Sequence, residues 1–222
     1  MVKDMNHDKS HITKPEPDEI LDKLLGGNLR FVEGKSIRPH SDISRRELSA
    51  KSSQSDYAIA TILSCSDSRV PPELIFDCGI MDLFVVRLAG NVLCNCALAS
   101  VEYGILHVHT PVLMVLAHSQ CGAITAVVNS LQEMDNAQND ENTHLYELFK
   151  HITPVVQSII QKEKHPADIQ QFINLCACEH AKNIAQKIRE ISKPIAEAEQ
   201  RGEIKIVPAF YELETGRVFC LD

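Results

Sequence analysis

The sequence predicts an α/β fold with a mostly parallel central β-sheet flanked by helices, an N-terminal helical arm and a C-terminal hairpin. Three short runs, Tyr57–Leu63, Leu83–Val86 and Val112–Ala117, are almost continuously apolar, which is typical of strands buried on both faces of a sheet. Helical patterns separate these runs, and such β–α–β alternation places the strands in parallel. Ligands of open α/β sheets bind at the carboxyl ends of the strands.

The N-terminal part divides into a polar arm and an amphipathic helix. Residues 1–17 are polar and rich in histidine, so we expect an extended or disordered arm, followed by a single domain at 18–222. Over Asp18–Val32 apolar residues recur at helical spacing, and this face is expected to pack on a core. A polar stretch with a short helix near Ser44–Ser49 leads to the first strand.

The remaining helices are predicted from apolar residues three and four positions apart and from prolines that begin or interrupt them. They are expected at Pro72–Phe76, at Ala97–His107, from His118 to about Leu131, as two short helices within Leu145–Gln161, and at Asp168–Ser192. A closing hairpin is predicted from Ile204–Tyr211 and Val218–Leu221, which flank a turn at Glu214-Thr215-Gly216.

Composition restricts the class of protein. The net charge of −8 argues against a nucleic-acid partner. No apolar stretch approaches the roughly 20 residues of a membrane span, and the N-terminus lacks the apolar segment of a secretory signal. We therefore expect a cytoplasmic protein. Its eight cysteines then favour free thiols or metal ligands over disulfides.

Two segments after apolar runs carry the candidate site. Cys65, Asp67 and Arg69 alternate just after the first strand, where their side chains can converge. His118 and Cys121 follow the third strand, three positions apart, so that both point the same way. Together Cys65, His118 and Cys121 make a Cys2His set that leaves one zinc position open, which is the pattern of catalytic zinc.

Each of these residues also has an ordinary structural interpretation. A single histidine at a strand end is more often a satisfied core or surface residue, and a single cysteine a buried thiol. Asp67 and Arg69 alone would most often form a loop salt bridge. The other six cysteines are best interpreted as small, half-buried residues, with a second metal site or a redox switch as the alternative.

The motif Cys-Ser-Asp-Ser-Arg-Val-Pro-Pro-Glu, with His-x-x-Cys-Gly further along, resembles the β-class carbonic anhydrases. The similarity continues through Asp82–Asn91 and in the ending Gly202–Leu221. It implies one zinc ion per subunit, bound by Cys65, His118 and Cys121, and the reversible hydration of CO2 to bicarbonate and a proton. It also implies a homodimer or a dimer of dimers, with the N-terminal helix packing across the partner subunit or, alternatively, on its own core.

The resemblance further implies roles for residues beside the zinc. Asp67, held by Arg69, would orient the attacking zinc-bound hydroxide, and an Asp–zinc bond would mark an inactive state. Gly90 and Val70 would lie near the substrate. Three other functions stay open: hydrolysis of CS2 or COS at the same zinc site, a non-catalytic zinc-binding or bicarbonate-sensing role, and a redox protein that uses its Cys-x-Cys pairs.

Overall fold

The structure, a computed structural model, describes residues 14–133, 143–161 and 168–222, so most of the predicted arm lies outside the described residues. The described chain forms one sheet in the order β2-β1-β3-β4-β5. Its strands are β1 (Ala60–Ser64), β2 (Leu83–Arg87), β3 (Val112–His118), β4 (Lys205–Tyr211) and β5 (Val218–Cys220). The first four pair in parallel, and β5 returns antiparallel to β4. The predicted fold class and closing hairpin are confirmed.

The helices follow the predicted pattern with one addition. They are α1 (Pro17–Val32), α2 (Ile43–Ser49), α3 (Pro72–Ile75), α4 (Asn95–Leu106), α5 (Gly122–Glu133), α6 (His144–Phe149), α7 (Thr153–Ile160), α8 (Ile169–Ile191) and α9 (Lys193–Gln200). The sequence did not predict α9, because Lys193-Pro194 follows the long helix as a terminating signal would. Proline also fits the first turn of a helix, and here it begins α9.

The sheet separates two apolar clusters, one on each face. Along β3 the alternation is regular, since Leu113 and Val115 face one cluster while Met114 and Leu116 face the other. The first cluster packs the sheet against α4, α5, α7 and α8, and the second packs it against α1 and α3. This double coverage explains why β1 and β3 are buried along their entire length.

Helix α1 packs on its own chain. Ile20 and Leu24 are fully buried in the second cluster, so one face of this helix packs on its own core, and packing of another face across a partner subunit stays a prediction. Asn28 on the same helix is also buried, and its amide donates to the carbonyls of Ile75 at 3.2 Å and Gly216 at 2.8 Å. Its Oδ1 accepts from the Val218 amide at 2.9 Å. One side chain therefore ties α1 to α3 and to the closing hairpin.

Replacing Asn28 with alanine is expected to lower the free energy of unfolding by about 3 kcal/mol, because buried backbone groups of three other residues lose their partner. Urea denaturation measures this change. Asn95→Ala, at an exposed position at the start of α4, is the control and should change the value by less than about 0.5 kcal/mol. Equal effects of the two substitutions would contradict the assigned role of Asn28.

Within the described part of the chain, every helix is too short or too polar to cross a lipid bilayer.

Candidate metal centre

The predicted site residues lie together at the carboxyl end of the parallel sheet. In the strand register Ser64 is opposite Arg87 of β2 and Leu116 of β3. Cys65 follows β1 directly, and His118 is the last residue of β3. Because neighbouring parallel strands end at the same edge, residues distant in sequence meet there.

Cys65, His118 and Cys121 converge as the sequence predicts. Their ligand atoms all lie within 4.8 Å of one another, and all three residues are buried. Cys121 immediately precedes α5, so the end of β3 and the turn that follows it supply two of the three ligand atoms. Two sulfurs and one imidazole nitrogen form a donor set that zinc favours, with a fourth position left for water.

His118 is oriented for metal binding. Its Nδ1 donates to the Ser119 carbonyl at 2.9 Å, which assigns the lone pair to Nε2. Nε2 is buried and has no hydrogen-bond partner among the described residues, so a cation at the centre would satisfy it. The ligand turn is itself supported by β4 and the segment after it: the Ser119 amide donates to Tyr211 at 3.0 Å, and Ser119 Oγ accepts from the Leu213 amide at 2.9 Å.

The surroundings of Cys65 favour a thiolate. Its Sγ accepts hydrogen bonds from the amides of Asp67 at 3.4 Å and Gly90 at 3.3 Å. The hydrogen bond with Cys121 is the main factor that lowers the pKa of Cys65, to about 4, and it raises the pKa of Cys121. Thiolate is the form of cysteine that binds metal ions, so Cys65 is prepared for a cation, whereas Cys121 would lose its proton when a cation binds.

Asp67 borders this cluster and is held by Arg69. The Arg69 guanidinium donates from Nε to Oδ1 at 2.9 Å and from Nη2 to Oδ2 at 2.7 Å. These bonds hold the pKa of Asp67 at about 2, so the carboxylate is ionised at neutral pH. Asp67 Oδ2 lies 4.0 Å from His118 Nε2. The carboxylate is therefore beside the ligand atoms, although both of its oxygens accept hydrogen bonds from Arg69.

A second arginine, which the sequence did not predict, lies at the site. Arg87, at the end of β2, donates from Nε to the Cys65 carbonyl at 3.0 Å and from Nη2 to the Asp67 carbonyl at 2.6 Å. It therefore fixes the backbone that carries both the ligand and the acid. Its position at the end of the neighbouring strand was a usable signal, because parallel pairing places that residue beside the motif.

The two residues predicted near the substrate occupy different environments. Gly90 is buried, and its amide donates a hydrogen bond to Cys65 Sγ. Its φ of 64° lies in the left-handed region, and a Cβ there would come within 2.9 Å of Ile152, so the loop requires glycine. Val70 is fully buried in the second cluster with Ile75 and Phe76. A substrate contact stays a prediction for both.

The Cys176–Cys178 pair is poorly suited to the redox function that the sequence left open. Burial raises the pKa of Cys176 to about 12 and that of Cys178 to about 11. Both thiols are then protonated at neutral pH and are poor nucleophiles.

Comparison with known proteins identifies relatives over most of the chain. A family model described as carbonic anhydrase matches residues 60–218. The chain is 31% identical over 195 residues to a carbonic anhydrase of Mycolicibacterium smegmatis, covering 88% of each protein. It is 29% identical over 199 residues to carbonic anhydrase 2 of Mycobacterium tuberculosis, covering 90% of each.

Solved structures share the same fold. The β-carbonic anhydrase CcaA superposes with a TM-score of 0.68 at 25% identity, over 92% of this chain and 88% of that one. A tetrameric β-carbonic anhydrase of Sordaria macrospora gives a TM-score of 0.68 at 18% identity, over 91% of this chain and 97% of that one.

Proposed function

The chain belongs to the β-carbonic anhydrase family, whose reaction is the hydration of CO2, and we propose that in this member Asp67 and Arg69 complete a catalytic site beside zinc-binding Cys65, His118 and Cys121. The observation that carries the proposal is the position of Asp67: its Oδ2 lies 4.0 Å from His118 Nε2, which has no hydrogen-bond partner among the described residues, while the carboxylate is paired with Arg69.

The metal ligands, Asp67 and Arg69 would have different roles in the reaction. Cys65, His118 and Cys121 would hold the zinc ion, which when bound would lower the pKa of a water molecule at the centre. Because two thiolates offset most of the charge of the ion, we expect that pKa to stay above ~7 and CO2 hydration to keep rising on the alkaline side of neutrality. Asp67, kept ionised by Arg69, would accept a hydrogen bond from the attacking water and direct its lone pair toward the carbon of CO2. Arg69 would also keep the carboxylate from occupying the position that water needs.

The residues around the centre would shape the substrate site. Gly90 lies against Cys65, and we retain it as a boundary of the CO2 site, with Val70 beneath the motif. Arg69 is 48% exposed while the three metal-binding residues are buried. The approach for CO2 and bicarbonate would therefore pass Asp67 and Arg69.

The assembly, the domain and the location are also proposals. We propose a homodimer or a dimer of dimers, since Leu29 and Leu74 on the contacting helices α1 and α3 are 50% and 56% exposed, and since the Sordaria macrospora relative is tetrameric. Residues 18–222 would form one domain.

A cytoplasmic location is supported by eight cysteines that are all free, because free thiols persist in a reducing compartment.

A CO2 assay with metal removal tests the function. We expect about one zinc per chain, hydration of CO2 in stopped flow, loss of activity after chelation of the metal, and recovery when zinc is restored. Turnover of CS2 or COS in preference to CO2 would replace the proposed substrate. Full activity without zinc would contradict the role of the metal.

A further inference from the structure

The ligand turn (residues 118–121), which supplies two of the three metal-binding residues, contains a residue in an unfavourable conformation. Gln120 stands between His118 and Cys121 and has a φ of 56°, in the left-handed region that residues other than glycine seldom adopt. Gln120 is exposed, so burial of its side chain does not explain this geometry. The conformation therefore depends on what the backbone of Gln120 contacts.

Two side chains from other parts of the chain hold the Gln120 backbone. The Gln120 amide donates to Asn174 Oδ1 at 3.3 Å, and the Gln120 carbonyl accepts from Arg69 Nη2 at 3.2 Å. The amide belongs to the peptide plane before Gln120, and the carbonyl belongs to the plane after it, which also contains the Cys121 nitrogen. Because both planes are held, the φ and ψ angles of Gln120 are fixed, and with them the direction in which Cys121 leaves the turn.

Asn174 is itself held in position on α8. Its Oδ1 also accepts from Gln170 Nε2 at 3.1 Å, one turn earlier on the same helix. Two donors meet this atom, which identifies it as the oxygen of the amide group and settles the orientation of the side chain. The neighbouring Ile173 is buried in the first cluster, where α8 packs against β3 and α5. Asn174 therefore offers a fixed acceptor to the ligand turn.

We propose that Asn174 is a positioning residue of the metal centre, which holds the Gln120 amide and so fixes the spacing of the two ligand atoms in the ligand turn. Arg69 supports the same turn from its other side, and its Nη2 also donates to Asp67 Oδ2. The acid, the ligand turn and α8 are therefore joined by one series of hydrogen bonds. The inference rests on the proposed zinc ligation, in which this turn supplies two of the three ligands.

Asn174→Ala removes the acceptor and tests this role. We expect zinc affinity, measured by competition with a chromophoric chelator, to fall about fivefold to tenfold, at the low end of the usual loss because Asn174 acts through the backbone. The thiolate-to-cobalt absorption of the Co²⁺-loaded protein should shift as Cys121 changes direction, while the fully loaded protein still holds about one zinc per chain. The Gln120 amide should exchange its hydrogen with solvent about tenfold faster, which nitrogen-15 spectra measure.

Two further variants separate positioning from a general effect on the helix. Asn174→Asp keeps an acceptor oxygen in the same place and should hold zinc affinity within about twofold of the wild type. Asn183→Ala is the matched control, because Asn183 is also a half-buried asparagine of α8 and its Oδ1 has no hydrogen-bond partner among the described residues. It should leave zinc affinity, the cobalt spectrum and the exchange of the Gln120 amide unchanged.

Wild-type zinc affinity and an unchanged cobalt spectrum in Asn174→Ala would overturn the proposal, as would equal losses of affinity in Asn174→Asp or Asn183→Ala. In the wild-type protein, a Gln120 amide that exchanges as fast as in an unstructured peptide would overturn it without any substitution. These readouts do not depend on turnover. A protein that shows the expected changes in zinc affinity and cobalt absorption but does not hydrate CO2 would count against the proposed function and leave this inference standing.

Discussion

Replacing Cys65 with serine is expected to abolish zinc binding and to lower CO2 hydration by about a thousandfold or more, equivalent to at least about 4 kcal/mol of activation free energy. A serine hydroxyl stays protonated at neutral pH and is a poor zinc ligand. His118 and Cys121 would then remain as two of the three ligands. Zinc content and stopped-flow hydration rates on the same preparation measure the effect.

Cys220→Ser is the control for the loss of a thiol. Cys220 is an exposed cysteine on β5, and its replacement should leave zinc content and activity unchanged. Circular dichroism of both variants would show whether the fold is retained. A Cys65→Ser protein that keeps one zinc per chain and full activity would refute the assignment of the metal centre.

Arg69→Ala is expected to lower CO2 hydration about a hundredfold while zinc content stays unchanged, a loss in the range attributed to positioned polar groups. Asp67 would lose both guanidinium hydrogen bonds. Its Oδ2 already lies 4.0 Å from His118 Nε2, so a small rotation would bring the carboxylate onto the metal. The Co²⁺-loaded variant should show a changed absorption spectrum as the carboxylate replaces water.

A double substitution distinguishes closure of the site from simple loss of charge. In Arg69→Ala combined with Asp67→Asn, the neutral amide binds metal weakly, so the cobalt spectrum should return toward that of the wild type. Activity should stay low, because the ionised acceptor for the attacking water is absent. If the single and double variants gave the same cobalt spectrum, closure by Asp67 would be excluded.

Arg201→Ala provides the matched control for the arginine. Arg201 and Glu203 form an equivalent two-bond pair, at 2.7 and 2.8 Å and with the same spacing along the chain. They lie just before β4, at the end of the sheet opposite the metal centre. This exposed pair should contribute little to stability and nothing to turnover. Full activity in Arg69→Ala would refute the proposed role of the Asp67–Arg69 pair.

The fold class and the ligand set could be predicted from the sequence. Continuous apolar strands alternating with helices specify a parallel sheet, and residues that follow such strands meet at one edge. Cys65 follows β1, His118 ends β3 and Cys121 lies in the turn after β3. Strands β1 and β3 are adjacent in the sheet. Local signals failed at α9, where a proline that could end one helix instead begins the next.

By itself the sequence determined which atoms can bind the metal, because residue type gives the thiol and imidazole chemistry and the hydrophobic pattern places these residues at the ends of parallel strands. Only the tertiary structure decided how those atoms are held. The Arg87 bonds to the Cys65 and Asp67 carbonyls and the hydrogen bond from the Gly90 amide to Cys65 Sγ join distant segments. Such contacts depend on packing across the whole fold, and no local spacing encodes them.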